Sequence, residues 1–137
     1  MRALALCLLP LLAASAMARP SDSLDAAARD YVVLQLAIGE KEEGYIDAYY
    51  GPADLQAAGK AIGKAESLRQ LAARVSALQN RVSALGAALP PETVRRARFL
   101  TAQLTAAATR LRMLQGEKLP FEDEALGLFG VRPELRP

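Results

Sequence analysis

The 137-residue chain has no histidine, no tryptophan and one cysteine, and its aromatic residues make up only 5% of the total. Without histidine it cannot assemble a Ser-His-Asp triad, a Cys-His pair, a His-ligated zinc site or an imidazole general base from its own residues. Cys7 alone gives neither a disulfide nor a thiolate metal site nor a redox pair. Charge of one sign is also lacking: 17 Lys+Arg stand against 15 Asp+Glu. This near balance argues against a nucleic-acid-binding or polybasic membrane surface. After the first twenty residues there is no apolar run long enough to cross a bilayer, which takes about 20 residues.

The N-terminus has the layout of a secretory signal peptide. Met1-Arg2 is a short positive start, Ala3 to Leu12 is apolar apart from Pro10, and Ala16-Met17-Ala18 is a small-x-small cleavage signature. The reading is residues 1–18 as signal peptide, cleavage after Ala18, and residues 19–137 as an exported helical domain, periplasmic or extracellular. With Arg2 the only charge among residues 1–18, cleavage leaves 16 basic against 15 acidic residues and removes Cys7. The remaining chain then relies on packing, without disulfides, for its stability.

The rest reads as all-α. Alanine is abundant, β-branched residues are few, and no alternation of period two persists. Ser21 or Ser23 can cap a first helix with Asp22 and Asp25 at its positive end. Leu24, Ala28, Tyr31, Leu34 and Ile38 fall on one face. Val32, Val33 and Leu36 widen that face until the second half should be buried nearly all round, and Gly39 is a plausible stop. A strand over 31–38 is the alternative, disfavoured by its helical flanks.

The strongest periodicity lies at 64–89, where Leu68, Leu71, Val75, Leu78, Val82, Leu85 and Leu89 recur at spacings of three and four. The pentapeptide Arg-Val-Ser-Ala-Leu occurs at 74–78 and again at 81–85, which makes the pattern a heptad. Pro90-Pro91 ends it and opens the next helix, about 92–115, with a stripe of Val94, Ala97, Leu100, Leu104, Ala107, Ala108, Leu111 and Leu114. The short connection predicts an antiparallel long-helix hairpin within a small helical bundle. The heptads could instead drive a homodimer. The seam is short, however, and Arg74 and Arg81 lack acidic partners at Ala72 and Gln79, so the intramolecular hairpin is the simpler use of that face. Arg95, Arg96, Arg98, Arg110 and Arg112 lie on the flanks and back of the fourth helix and suit ordinary salt bridging better than an anion site. Pro120 should open a last short helix with Glu122, Asp123 and Glu124 in its first turn and Phe121, Ala125, Leu128 and Phe129 on its apolar side, closed by Gly130; residues 131–137 look irregular.

Residues 40–52 are the least generic. They hold three of the four tyrosines, with Gly44 and Gly51-Pro52 as punctuation. A short helix from Tyr45 to Tyr50 would put Tyr45 and Tyr49 on one face, and Pro52 would begin another short helix with Asp54 near its start. The acids Glu40, Glu43 and Asp47 would share a face if helix ran through Gly44, and could then hold a hard cation or supply an acid and a base for glycosyl hydrolysis; the plainer reading is a solvated face. Tyr45, Asp47, Tyr49 and Tyr50 form either a cleft wall or a packing motif.

Two stretches carry a family likeness. Gly39-Glu40-Lys41 with Gly44-Tyr45-Ile46-Asp47-Ala48-Tyr49-Tyr50-Gly51-Pro52, and Arg110 to Leu119 with Phe121 to Glu124 and Phe129-Gly130-Val131, resemble the N-terminal part of a family of bacterial exported proteins several hundred residues long that look like zinc metallopeptidases. The resemblance covers 37–52 and 95–131. It implies a largely helical fold, with a His-Glu-type zinc motif far downstream of this region supplying two ligands and a general base. Here that motif is absent. The likeness therefore implies the N-terminal part of a longer protein, with zinc only in a full-length relative and neither catalytic nor metal-binding residues in this chain. Its partner would be the rest of that chain. The alternative is a stand-alone periplasmic helical adaptor or dimerisation module.

Overall fold

The computed structural model describes residues 23–86 and 89–134. The proposed signal peptide with its cleavage point after Ala18, the alternative cap Ser21, and the end of the chain after Glu134 lie outside the described residues. Among those described there are five α-helices and no strand: α1 Leu24–Gly39, α2 Ala53–Ala65, α3 Leu68–Gly86, α4 Pro91–Leu114 and α5 Phe121–Phe129. None of these helices is long and apolar enough to cross a membrane.

The fold is all-α, as composition and periodicity predict. Ser23 caps α1, its hydroxyl accepting from the Ala26 N–H at 3.1 Å. From Tyr31 to Gly39 every residue of α1 is buried or half-buried, in keeping with the widened apolar face. Leu34, Ala37 and Ile38 enter one core with Leu71, Val75, Leu78 and Val82 of α3 and with Leu100, Leu104 and Leu111 of α4. The heptad seam is therefore consumed inside the molecule. Leu71, Val75 and Val82 are at most 1% exposed, so they leave no free stripe for a second helix pair. Burying side chains of this size contributes roughly 1.5–3 kcal/mol each before entropy is charged.

Two boundaries differ from expectation. The long helix expected over 64–89 begins at Leu68 instead, because Lys64 and Ala65 belong to α2 and the chain turns extended at Glu66, ψ 147°. Ser67 and Gln70 explain the break. The Ser67 N–H donates to Gln70 Oε1 at 2.9 Å and the Gln70 N–H to Ser67 Oγ at 3.4 Å, a reciprocal capping box. Arg74 reaches back to grip Glu66 with Nε at 2.7 Å from Oε2. Pro52 stands one residue before α2 instead of within its first turn. At the other end α4 matches its expected span to within a residue, and Gly130, at φ 71°, closes α5 in the left-handed conformation.

α2 packs on α1 by a device the apolar pattern does not reveal. Its buried residues are two glycines, Gly59 and Gly63. A Cβ on Gly59 would lie 2.5 Å from Leu36 Cβ and 2.9 Å from the Val33 carbonyl; one on Gly63 would lie 2.6 Å from the Ala37 carbonyl. The two helix backbones approach as closely as they do because those side chains are absent.

Candidate functional site

The segment 40–52 is a loop, not a helix. α1 ends at Gly39, and Gly44 adopts φ 78°, a left-handed turn that reverses the chain and favours glycine. The expected short helix from Tyr45 to Tyr50 does not form, and Tyr45 and Tyr49 do not share a helical face. Each tyrosine has a separate fate. Tyr45 turns inward and its hydroxyl donates to Gln35 Oε1 on α1 at 2.6 Å. Tyr49 folds over Gly51, where a Cβ would fall 2.5 Å from its hydroxyl, and donates to the Pro52 carbonyl at 3.1 Å. Tyr50 is 98% exposed. The acid row breaks up for the same reason. With helix ending at Gly39 and the turn at Gly44, Glu40, Glu43 and Asp47 occupy three different parts of an exposed loop.

Glu42, by contrast, faces α4. Its carboxylate receives both Nε (2.8 Å) and Nη2 of Arg110, a bidentate pair. The Arg110 hydrogen bonds hold Glu42 below the ordinary glutamate range, and the carboxylate raises the Arg110 guanidinium in turn. Next to this pair, burial pushes the Tyr45 phenol up to about 12, with the neighbouring Tyr31 and Glu42 adding to the rise. Tyr31 is also raised by burial, and its hydroxyl donates to Gln103 Oε1 on α4 at 3.2 Å. Gln35 keeps one polar atom, Nε2, buried without a partner. The result is a polar clasp in which a loop from the end of α1 is tied to α1 by Tyr45 and to α4 by Glu42.

The outer side of the loop faces α2 across a groove of about 540 Å³, with Ile46, Asp47 and Tyr49 on one wall and Gln56, Ala57 and Lys60 on the other. Asp47, Glu40 and Lys60 have no ion-pair partner among the described residues. What converges here is charge. Among the described residues that line the groove, no hydrogen bond joins a lysine or hydroxyl nucleophile to a carboxylate base. A tyrosine whose pKa is pushed up is a poor proton donor or nucleophile near neutrality, and a carboxyl held ionised is a poor general acid. Among the described residues no group of three or more His, Cys, Asp or Glu side chains converges. With histidine absent from the sequence, these residues do not fit a hydrolase-type zinc centre, so no catalytic step through zinc is derived from them.

The sequence pattern singles out Tyr45, Asp47, Tyr49 and Tyr50. The structure brings Tyr45 and the unforeseen Gln35 together, puts Asp47 and Tyr49 on the groove, and leaves Tyr50 in solvent. The fourth-helix arginines divide as their spread around the helix suggests. Arg96 pairs with Asp25, Arg110 with Glu42 and Arg112 with Glu117, while Arg95 and Arg98 have no acidic partner among the described residues. The Glu42–Arg110 pairing has no local signal, since 68 positions separate the two residues. Gly59 and Gly63, which the apolar pattern does not reveal, let α2 approach α1 and so position the α2 residues on the far wall of the groove. Compared with family models, with curated proteins and with solved structures, the chain matches none of them.

Proposed function

We propose that the chain is the helical N-terminal scaffold of an exported zinc-dependent peptidase or hydrolase, with no catalytic group of its own. One observation carries this reading. The two stretches that bear the family likeness, 37–52 and 95–131, lie far apart in sequence, and they meet at the Glu42–Arg110 pair. Motif residues that tie elements together are what a scaffold requires, whereas motif residues of a catalytic centre would converge on a reactive group. The motif residues Tyr45, Gly51 and Arg110 each have a packing or hydrogen-bonding role that accounts for their place, and Arg110 finds its partner in Glu42, between the two halves of the first motif.

On this reading the zinc ligands and the general base come from polypeptide downstream of this region, and the helices form one wall beside them. The test is the transcript read past codon 137. The expected result is an in-frame continuation to a His-Glu zinc motif. A stop codon there, together with zinc-dependent peptide hydrolysis by the purified 137-residue product, would overturn the proposal.

A further inference from the structure

The face of the α3–α4 hairpin turned away from α1 is only half covered. α5 covers one end of it. Gly127 sits so close to Thr109 that a Cβ would meet its Oγ1 at 2.5 Å. Asp123 is placed near Arg112 and Glu124 near Arg110, so α5 runs antiparallel to α4. At the other end lies an apolar groove of about 400 Å³ lined by Val82, Gly86, Val94, Arg98, Thr101 and Ala102. Thr101, Thr105 and Thr109 recur every four residues along one stripe of α4, and each hydroxyl donates to the carbonyl four residues back. That internal bonding satisfies the hydroxyl groups within the helix.

α5 and the groove therefore occupy successive halves of one stripe, with exposed Thr105 between them. α5 has no buried residue, and Phe121 and Phe129 are 65% and 75% exposed. We propose that two copies of this chain pair about a two-fold axis near Thr105, each laying α5 into the groove of the other. With the two α4 helices antiparallel, Thr109 of one copy comes opposite Thr101 of its partner. The α5 first turn, which lies over Arg110 and Arg112, then comes opposite the other copy's Arg98 and Arg95.

The charges match this arrangement. The first turn of α5 carries Glu122, Asp123 and Glu124, and the single Arg132 that pairs with both Glu122 and Asp123 leaves it an excess of negative charge; Arg98 on the groove and Arg95 one turn before it are the fourth-helix arginines without an acidic partner among the described residues. Aromatic side chains meet an apolar trough, acids meet free guanidinium groups, and the contact is isologous, the form most homodimers take. The inference concerns assembly and goes beyond the scaffold reading. A continuing reading frame leaves it standing, and a monomer would leave the scaffold reading standing.

Sedimentation equilibrium of protein purified from cells expressing the whole chain tests it. The expected mass is twice that of one copy. Arg98→Glu should weaken pairing at least tenfold, and Asp123→Arg in the same chain should restore it. Phe121→Ser should give a monomer with unchanged helical circular dichroism, since that ring supports no core. In a Cys7→Ser background, Arg98→Cys together with Asp123→Cys should form a disulfide-linked dimer, since the proposed pairing brings these two positions together across the contact, while Arg69→Cys, on α3 away from the axis, should not. A monomeric mass at 100 µM overturns the proposal. So does a dimer indifferent to Arg98→Glu and not trapped by the paired cysteine substitutions at 98 and 123.

Discussion

The α3–α4 hairpin and the α1–loop–α2 region are of similar size, yet they are held by different physics. The hairpin rests on fully buried aliphatic side chains, Leu71, Val75, Val82, Leu104 and Leu111, all at or below 1% exposure. The loop and α2 rest on missing side chains and on directional bonds: two glycines in α2, Tyr45 on Gln35, and Glu42 on Arg110. An aliphatic seam tolerates small shifts and is redundant along its length. A clasp of single contacts is not, and it fixes the backbone more closely. On this contrast, stability should rest mainly on the aliphatic core, which α1 shares through Leu34, Ala37 and Ile38, and backbone placement on the loop and α2.

The contrast can be broken most strongly in the hairpin. Leu104→Ala removes a side chain that is 0% exposed and should cost about 3 kcal/mol, read as a lowered urea midpoint with an unchanged slope. Gly63→Ala should come next. Its Cβ meets the Ala37 carbonyl, and the strain of roughly 1–3 kcal/mol exceeds the gain of about 1 kcal/mol in helix propensity. Amide exchange should show protection lost across α2 while α3 and α4 keep theirs. Uniform loss across all helices would mean the two regions are not separable.

Tyr45→Phe leaves Gln35 with its Oε1 as well as its Nε2 unpaired and should cost about 1 kcal/mol. It also changes the alkaline limb of stability. A phenol raised in the folded state from 10.0 to about 12 lets the unfolded chain ionise first, so its contribution is complete below pH 10 and is lost between pH 10 and 12. The variant should unfold with a shallower dependence on pH over that window in urea titrations. Glu42→Gln acts at the other extreme. A carboxyl lowered in the folded state stabilises above the ordinary glutamate value of 4.5, and that contribution fades as pH falls below it. At neutral pH the loss should be under about 1 kcal/mol for a pair with one partner a third exposed, and the variant's acid limb should be flatter than the wild type's. Tyr50→Ala should change the midpoint by less than about 0.5 kcal/mol, since the ring touches little at 98% exposure.

Legibility in the sequence follows the same division. The hairpin could be read because periodic aliphatic residues and Pro90-Pro91 act locally, and local pattern determines helix and turn. α1 and α5 were legible for similar reasons, through Ser23 and Gly130. The capping box at Ser67 and Gln70 is present in the sequence, but the periodic residues around it run on past it, so periodicity alone places the start of the third helix too early. Tyr45, Ala48 and Tyr49 carry a helical spacing, yet the segment is a loop. What decides their conformation is the turn at Gly44 together with contacts to Gln35 on α1 and, through Glu42, to Arg110 on α4. Such long-range partners leave no mark on local periodicity, and neither does a close approach achieved by absent side chains.

The central proposal is that this distinctive loop serves to position backbone. It is tested most directly by assaying the purified chain, with and without added zinc, on a library of quenched fluorescent peptides, next to its Asp47→Asn variant. The account predicts no turnover above the buffer rate in any arm. Zinc-dependent cleavage by the wild-type chain that Asp47→Asn abolishes would contradict it.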